Sequence, residues 1–138
     1  MQVGTLPDGG TSGMDPREVY DRIQDGERVA ILDVRAPTDF EEWHIDGPTV
    51  DVVNVPGTEF EDGIDDELLE SLPEGSPLLV VCAKGISSAT IAEELRDHGI
   101  EATNMAEGME GWARVFVARE IRGYEGSGTL WQYHRPSS

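Results

Sequence analysis

Cys82 is the single cysteine in a chain of 138 residues. It follows the apolar run Leu78-Leu79-Val80-Val81 and precedes Ala83-Lys84-Gly85-Ile86-Ser87-Ser88. A cysteine attacks as its thiolate, and a thiolate forms readily only in positive potential. The spacing here can supply that potential. Gly85 lets a loop curl without a side chain in the way. A backbone curled at the start of a helix aims successive N–H groups at one point. Lys84 adds a point charge. Ser87 and Ser88 add hydroxyl donors, with Ser88 placed to cap the helix or to hydrogen-bond the sulfur. A cysteine taken alone is an inert small hydrophobe. The pattern Cys82-x-x-Gly85-x-x-Ser88 at a strand-to-helix turn favours a working nucleophile instead. That pattern does not separate sulfur chemistry from phosphate chemistry.

Other polar residues compete for roles at the same place. Asp33 closes the apolar run 29–32, and Arg35 follows it. They either shape a pocket or form an internal ion pair pinning the turn. The pair is the favoured reading, with Arg35 joined to Asp39 or Glu42. His44 reads as a structural histidine, because a thiolate of lowered pKa needs no base. His98 ends a helix, where a cation is welcome. Three scattered histidines and one cysteine make no metal site, and no cofactor is expected. Trp43, Trp112, Met105 and Met109 read as packing residues.

The elements that position these residues alternate in type. Asp15-Pro16-Arg17-Glu18 announces a helix, with Asp15 capping and Glu18 reaching back. Buried strands are expected over 29–34, 50–55, 77–82 and 102–105. Helices are expected over 38–43, 65–72, 87–98 and 108–120. Strand–helix alternation implies parallel strands, right-handed crossovers and an open α/β sheet covered on both faces. Ligands of such sheets sit outside the carboxyl ends of the strands, where Cys82 falls. Residues 1–13 read as a flexible lead-in, 14–120 as one domain, and 121–138 as a tail of changed composition.

Composition narrows the partners. The formal net charge is -18, with nine arginines and one lysine. Phosphate backbones would be repelled, so no nucleic acid is expected. No apolar run approaches the ~18 residues of a membrane span. A lone cysteine and the absence of a signal-peptide pattern fit a reducing, cytoplasmic setting. Acid scattered along the whole chain fits adaptation to high internal salt, which screens self-repulsion. A surface for a basic partner is the competing reading.

Several motifs then occur in one order: Asp33-Val34-Arg35, Asp39-Phe40, His44-Ile45-Asp46-Gly47, Asn54-Val55-Pro56, the Cys82 loop, and Glu107-Gly108-Met109-Glu110-Gly111-Trp112. Over residues 14–118 this order resembles a rhodanese homology domain. The resemblance implies a rhodanese-like fold, a five-stranded parallel sheet with helices on both faces. It implies a sulfurtransferase that carries sulfane sulfur as a persulfide on Cys82. The donor would be thiosulfate or a small persulfide, and the acceptor a thiol or cyanide. The anion-binding loop would be Ala83, Lys84, Gly85, Ile86, Ser87 and Ser88, with Asp33, Arg35 and His44 structural beside it. The loop has the length of the sulfur-carrying members; related dual-specificity phosphatases have one residue more. Ala83 and Ser87 stand where many active members carry arginine. A non-catalytic binding or regulatory module is therefore an alternative, and a cysteine-dependent phosphatase a weaker one. The loop with Glu-Gly-Met is also similar to rhodanese domains followed by a metallo-β-lactamase-fold domain. By that likeness the tail 130–138 opens such a second domain.

Overall fold

The computed structural model describes residues 13–75 and 77–121, with side chains as far as Val115. Four strands run β1 (Val29–Asp33), β2 (Val50–Asn54), β3 (Leu78–Val81) and β4 (Ala102–Asn104). Five α-helices accompany them: α1 (Pro16–Gln24), α2 (Pro37–Glu42), α3 (Asp66–Glu70), α4 (Ser87–Asp97) and α5 (Gly108–Ile121). A 3-10 turn, Gly57–Phe60, follows β2. All strand pairs are parallel and the sheet order is β2-β1-β3-β4.

The strands are apolar because both faces are covered. Alternate residues point to opposite sides. Ile31, Leu79 and Val81 join Val19, Tyr20, Met105 and Trp112 in one buried cluster. Ala30, Leu32, Leu78, Val80 and Cys82 join Ile91, Ala92 and Leu95 in the other. The first cluster lies under α1 and α5, where Tyr20 and Trp112 meet at 5.8 Å between ring centroids. The second lies under α4. Cys82 thus directly follows β3 and falls on the α4 side, continuing the period-2 alternation of a strand whose residues are all buried.

The sheet has four strands, not the five expected. The place beside β4 is held by a single parallel bridge, Met14 to Met105. Its bonds are Met14 N–H to the Asn104 carbonyl, 2.7 Å, and Ala106 N–H to the Met14 carbonyl, 2.8 Å. Pro16 has no N–H and opens α1 two residues later, so the ladder cannot lengthen toward the C-terminus. Gly13, with φ of +126°, turns the chain against Asn104 on the other side. Residues 1–12 of the lead-in 1–13, residues 122–138 of the tail 121–138, and the second-domain reading lie outside the described residues.

The start of α1 also differs from expectation. Asp15 does cap, accepting from Arg17 N–H at 2.8 Å. Glu18 does not reach back; it pairs with Arg22 one turn on, at 2.9 Å. The Arg17 guanidinium takes the Asp15 carboxylate instead and holds that carboxyl below its ordinary pKa. No described helix is long and apolar enough to cross a membrane.

Among the described residues Asp33 is the only buried acid; the others stand at or near the surface. With a net charge of -18 their mutual repulsion opposes compaction, and salt screens it. The thermal unfolding midpoint is therefore expected to rise between 0.1 M and 2 M potassium chloride, both order-of-magnitude settings spanning Debye lengths of about 10 Å to below 3 Å. A midpoint that is flat or falls would remove the salt-adaptation reading.

Candidate active site

The loop after β3 wraps the sulfur. Cys82 is 7% exposed. Its Sγ accepts from Gly85 N–H at 3.1 Å, Ser88 N–H at 3.3 Å and the Ser88 hydroxyl at 3.1 Å. Gly85 adopts φ of +88°, the left-handed turn that brings its N–H back onto the sulfur. Burial pushes the thiol pKa up. The Ser88 hydroxyl and the N–H groups of Ser88, Gly85 and Lys84 pull it down. The donors win, and Cys82 titrates below its ordinary value. The helix N-terminus adds to them through its own N–H groups.

Neighbouring elements hold this loop in place. The first turn of α5 grips it: Met109 N–H donates to the Cys82 carbonyl at 2.8 Å and Glu110 N–H to the Ala83 carbonyl at 3.0 Å. Gly108, at φ of +58°, passes directly beneath those carbonyls. The Asn104 side chain donates to the Gly85 carbonyl at 3.2 Å and its amide oxygen meets the Ser88 hydroxyl. Both Ser88 and Asn104 are buried. Asn104 was not among the residues singled out in the sequence. A polar residue at the carboxyl end of a core strand, beside the strand that leads into Cys82, is the signal that could have found it.

The expected loop residues all come together, in two roles. Gly85 and Ser88 are buried against the sulfur. Ala83, Lys84, Ile86 and Ser87 are exposed and line a cleft of about 430 Å³ that opens over Cys82. What Lys84 adds to the sulfur's acidity is its peptide N–H. Ile86 is 64% exposed, a large apolar side chain left on the rim.

Arg35 is paired, but not with Asp39 or Glu42. Its guanidinium binds Asp33, with Nη2 to Oδ2 at 2.8 Å and Nε to Oδ1 at 3.0 Å. Its backbone N–H also donates to Asp33, at 3.0 Å, and Nη2 donates to the Trp43 carbonyl at 2.7 Å. The turn after β1 folds the two side chains onto each other, so Asp39 is left exposed on the cleft wall. Asn54 braces the turn by donating to the Asp33 and Arg35 carbonyls. Both readings of this pair therefore apply: Asp33 and Arg35 are an internal ion pair, and Arg35 forms part of the cleft wall. His44 stacks on Phe40 at 3.9 Å, and its Nδ1 meets the Phe40 carbonyl at 2.7 Å. It does not line the cleft. Among the described residues no group of His, Cys, Asp or Glu could hold a metal ion.

This geometry has relatives. The rhodanese-like domain family matches residues 15–115. A probable adenylyltransferase/sulfurtransferase, MoeZ, of Mycobacterium tuberculosis is 29% identical over 104 residues. Those residues are 75% of this chain but 25% of the relative, so the chain spans about a quarter of the length of the curated relatives it matches. A rhodanese-like domain protein from Staphylococcus aureus superposes with a TM-score of 0.58 at 27% identity, over 72% of this chain and 88% of that one. A rhodanese-related protein from Thermoplasma volcanium superposes with 0.59 at 23% identity, over 81% and 93%; at that identity it speaks to the fold alone. A four-stranded parallel sheet, a cysteine in a strand-to-helix loop and a match over most of the chain agree, and this chain belongs to the rhodanese-like domain family.

Proposed function

We propose that this chain is a sulfurtransferase working through a persulfide on Cys82. The observation that carries the reading is the convergence of two peptide N–H groups and one hydroxyl on Sγ, at 3.1 to 3.3 Å. Such a cradle stabilises an anionic sulfur before and after transfer. In the first half-reaction the Cys82 thiolate attacks the sulfane sulfur of a small donor. The new S–S bond forms as the donor's bond breaks, and sulfite leaves from thiosulfate or a thiolate from an alkyl persulfide. In the second, a thiol or cyanide attacks the outer sulfur, and the Cys82 thiolate leaves with the S–S electron pair. The mycobacterial relative's description as a sulfurtransferase supports this chemistry.

Donor choice follows from charge. Arg35 is bound to Asp33 and the Trp43 carbonyl. The loop carries Ala83 and Ser87 and no arginine. A sulfonate then has only N–H groups, the Ser87 hydroxyl and Lys84 to meet it. A small persulfide, whose reacting sulfur needs just the cradle, suits the cleft better than thiosulfate. The same want of arginine favours a second reading, a rhodanese-like module that binds without turning over. It weighs more heavily still against a phosphatase.

Mass spectrometry separates the readings. Incubation with glutathione persulfide is expected to add one sulfur, about 32 Da, to Cys82. Cyanide is expected to remove it, and Cys82→Ser not to acquire it. No adduct under saturating donor in high salt would leave the binding module standing. Phosphate release from an aryl phosphate, dependent on Cys82, would instead establish the phosphatase.

A further inference from the structure

Besides the sulfur, the cleft over Cys82 carries the charged side chains of Arg35, Asp39 and Lys84. Arg35 is engaged, because its guanidinium is bound to Asp33 and to the Trp43 carbonyl. Asp39, in the first turn of α2, and Lys84, in the loop, are both exposed. Among the described residues neither forms an ion pair. The cleft therefore offers a ligand one free cation and one free anion. Lys84 is also the single lysine of a chain with 28 acidic residues. Against that background, an ammonium group beside the nucleophile is where a ligand's carboxylate would be drawn.

A second cavity, of about 670 Å³, adjoins the cleft and shares Ala36 and Ser87 with it. Its charged residues are Glu61 and Glu94, both acids. A ligand reaching from the sulfur can thus place one carboxylate, at Lys84, and finds no cation for a second. We propose that the cleft selects the persulfide of an amino acid, with Lys84 holding its carboxylate and Asp39 its ammonium group. The inference rests on the sulfur transfer proposed above and names its donor class.

Two contacts of opposite sign fix how such a donor lies, so that its outer sulfur faces Sγ. Sγ then bonds to that outer sulfur as the donor's S–S bond breaks, and the amino acid leaves as its thiolate with the electron pair. The ammonium and carboxylate cancel in net charge. The protein's own charge of -18 therefore repels this donor less than it repels thiosulfate, a dianion that also leaves Asp39 unmatched. Lys84 and Asp39 act here on donor choice, apart from the N–H groups that hold the sulfur.

The test uses the persulfides of cysteine, cysteamine, 3-mercaptopropionate and 2-mercaptoethanol. They carry both charged groups, the ammonium alone, the carboxylate alone, and neither. The second-order rate constant for loading Cys82 is read by mass spectrometry, with donor well below saturation. Each rate is divided by that of the same donor with a small free thiol, which removes differences in leaving group. Cysteine persulfide is expected to load about three- to tenfold faster than the cysteamine or mercaptopropionate compound, between the worth of an exposed ion pair and of a hydrogen bond to a charge. Lys84→Gln should remove the advantage that a carboxylate gives, and Asp39→Asn the advantage that an ammonium gives. Donors are compared as ratios within each variant, so a change in Cys82 reactivity common to all of them cancels. Asp97→Asn, at the far end of α4, removes one charge elsewhere and should leave every ratio as it was. Equal loading by the four donors overturns the inference while sulfur transfer stands. So do ratios that neither cleft substitution moves, or that Asp97→Asn moves as much. Loading by none of the donors overturns the sulfurtransferase reading itself, and the donor class with it.

Discussion

Gly108→Ala is expected to destabilise the domain by about 2 to 5 kcal/mol and to disable Cys82 with it. Two separate costs meet at this position. The first is conformational: φ is +58°, a region where a Cβ costs about 1–2 kcal/mol. The second is steric. An alanine Cβ would collide with the Cys82 carbonyl and stand 2.6 Å from the Ala83 carbonyl carbon and oxygen. These are backbone atoms of the Cys82 loop, so relief requires the loop or α5 to move. Either motion pulls Met109 and Glu110 off the carbonyls they hold and shifts the N–H groups trained on Sγ. Gly99→Ala is the matched control. Its φ is +86°, but no atom lies within 4 Å of the added methyl. It bears strain alone, partly offset by a stiffer unfolded chain, and is expected to cost about 1 kcal/mol with no effect on the sulfur. For a domain of this size, about 4 to 8 °C of midpoint accompanies each kcal/mol. Calorimetry of the two variants, together with the Cys82 ionisation midpoint, measures both consequences. Equal losses in the two variants would mean that α5 does not press on the loop.

The contrast between Gly108 and Cys82 marks how far the sequence could be read. Cys82 was legible because β3 is buried on both faces and reads as an unbroken apolar run ending at the one cysteine. Gly85 and Ser88 followed from local turn chemistry within six residues. Gly108 could be noticed only as part of a family pattern, since its importance lies in a contact with the carbonyls of Cys82 and Ala83, far back in the chain, that no local rule expresses. Asn104 was hidden for a related reason. β4 is three residues long, too short to show a period, and its polar end carried no meaning until its neighbour across the sheet was known. The fifth strand was expected from family likeness. Local chemistry at Gly13 and Pro16 reduces it to one bridge. The 3-10 turn Gly57–Phe60, closed by backbone bonds such as Glu59 N–H to the Pro56 carbonyl, had no strong local signature.

Arg35 was assigned a partner on the wrong side, and the correction leads to the second large effect. An ion pair pinning the strand–helix turn was expected with Asp39 or Glu42. The chain instead turns sharply after β1 and folds Arg35 back onto Asp33, two residues earlier. Side-chain exposures of 6% and 2% make this a buried pair. Forming such a pair from solvated ions gains little, but breaking it strands a charge. Arg35→Met is therefore expected to cost about 3 to 5 kcal/mol. Asp33→Asn/Arg35→Met removes the stranded charge and keeps an acceptor for the residue 35 N–H. It should be more stable than Arg35→Met alone, with a coupling of about 1 to 3 kcal/mol. Denaturant unfolding of the two singles and the double measures that coupling. Simple additivity would mean that the charges do not feel each other. A strong coupling fixes the function of this arginine as well. A guanidinium that spends its forks on Asp33 and the Trp43 carbonyl has little left for a substrate anion. In the sulfur transfer proposed above, the burden of holding anionic sulfur then falls on the Ser88 hydroxyl and the peptide N–H groups of Lys84, Gly85 and Ser88, which a charge-removing substitution does not reach.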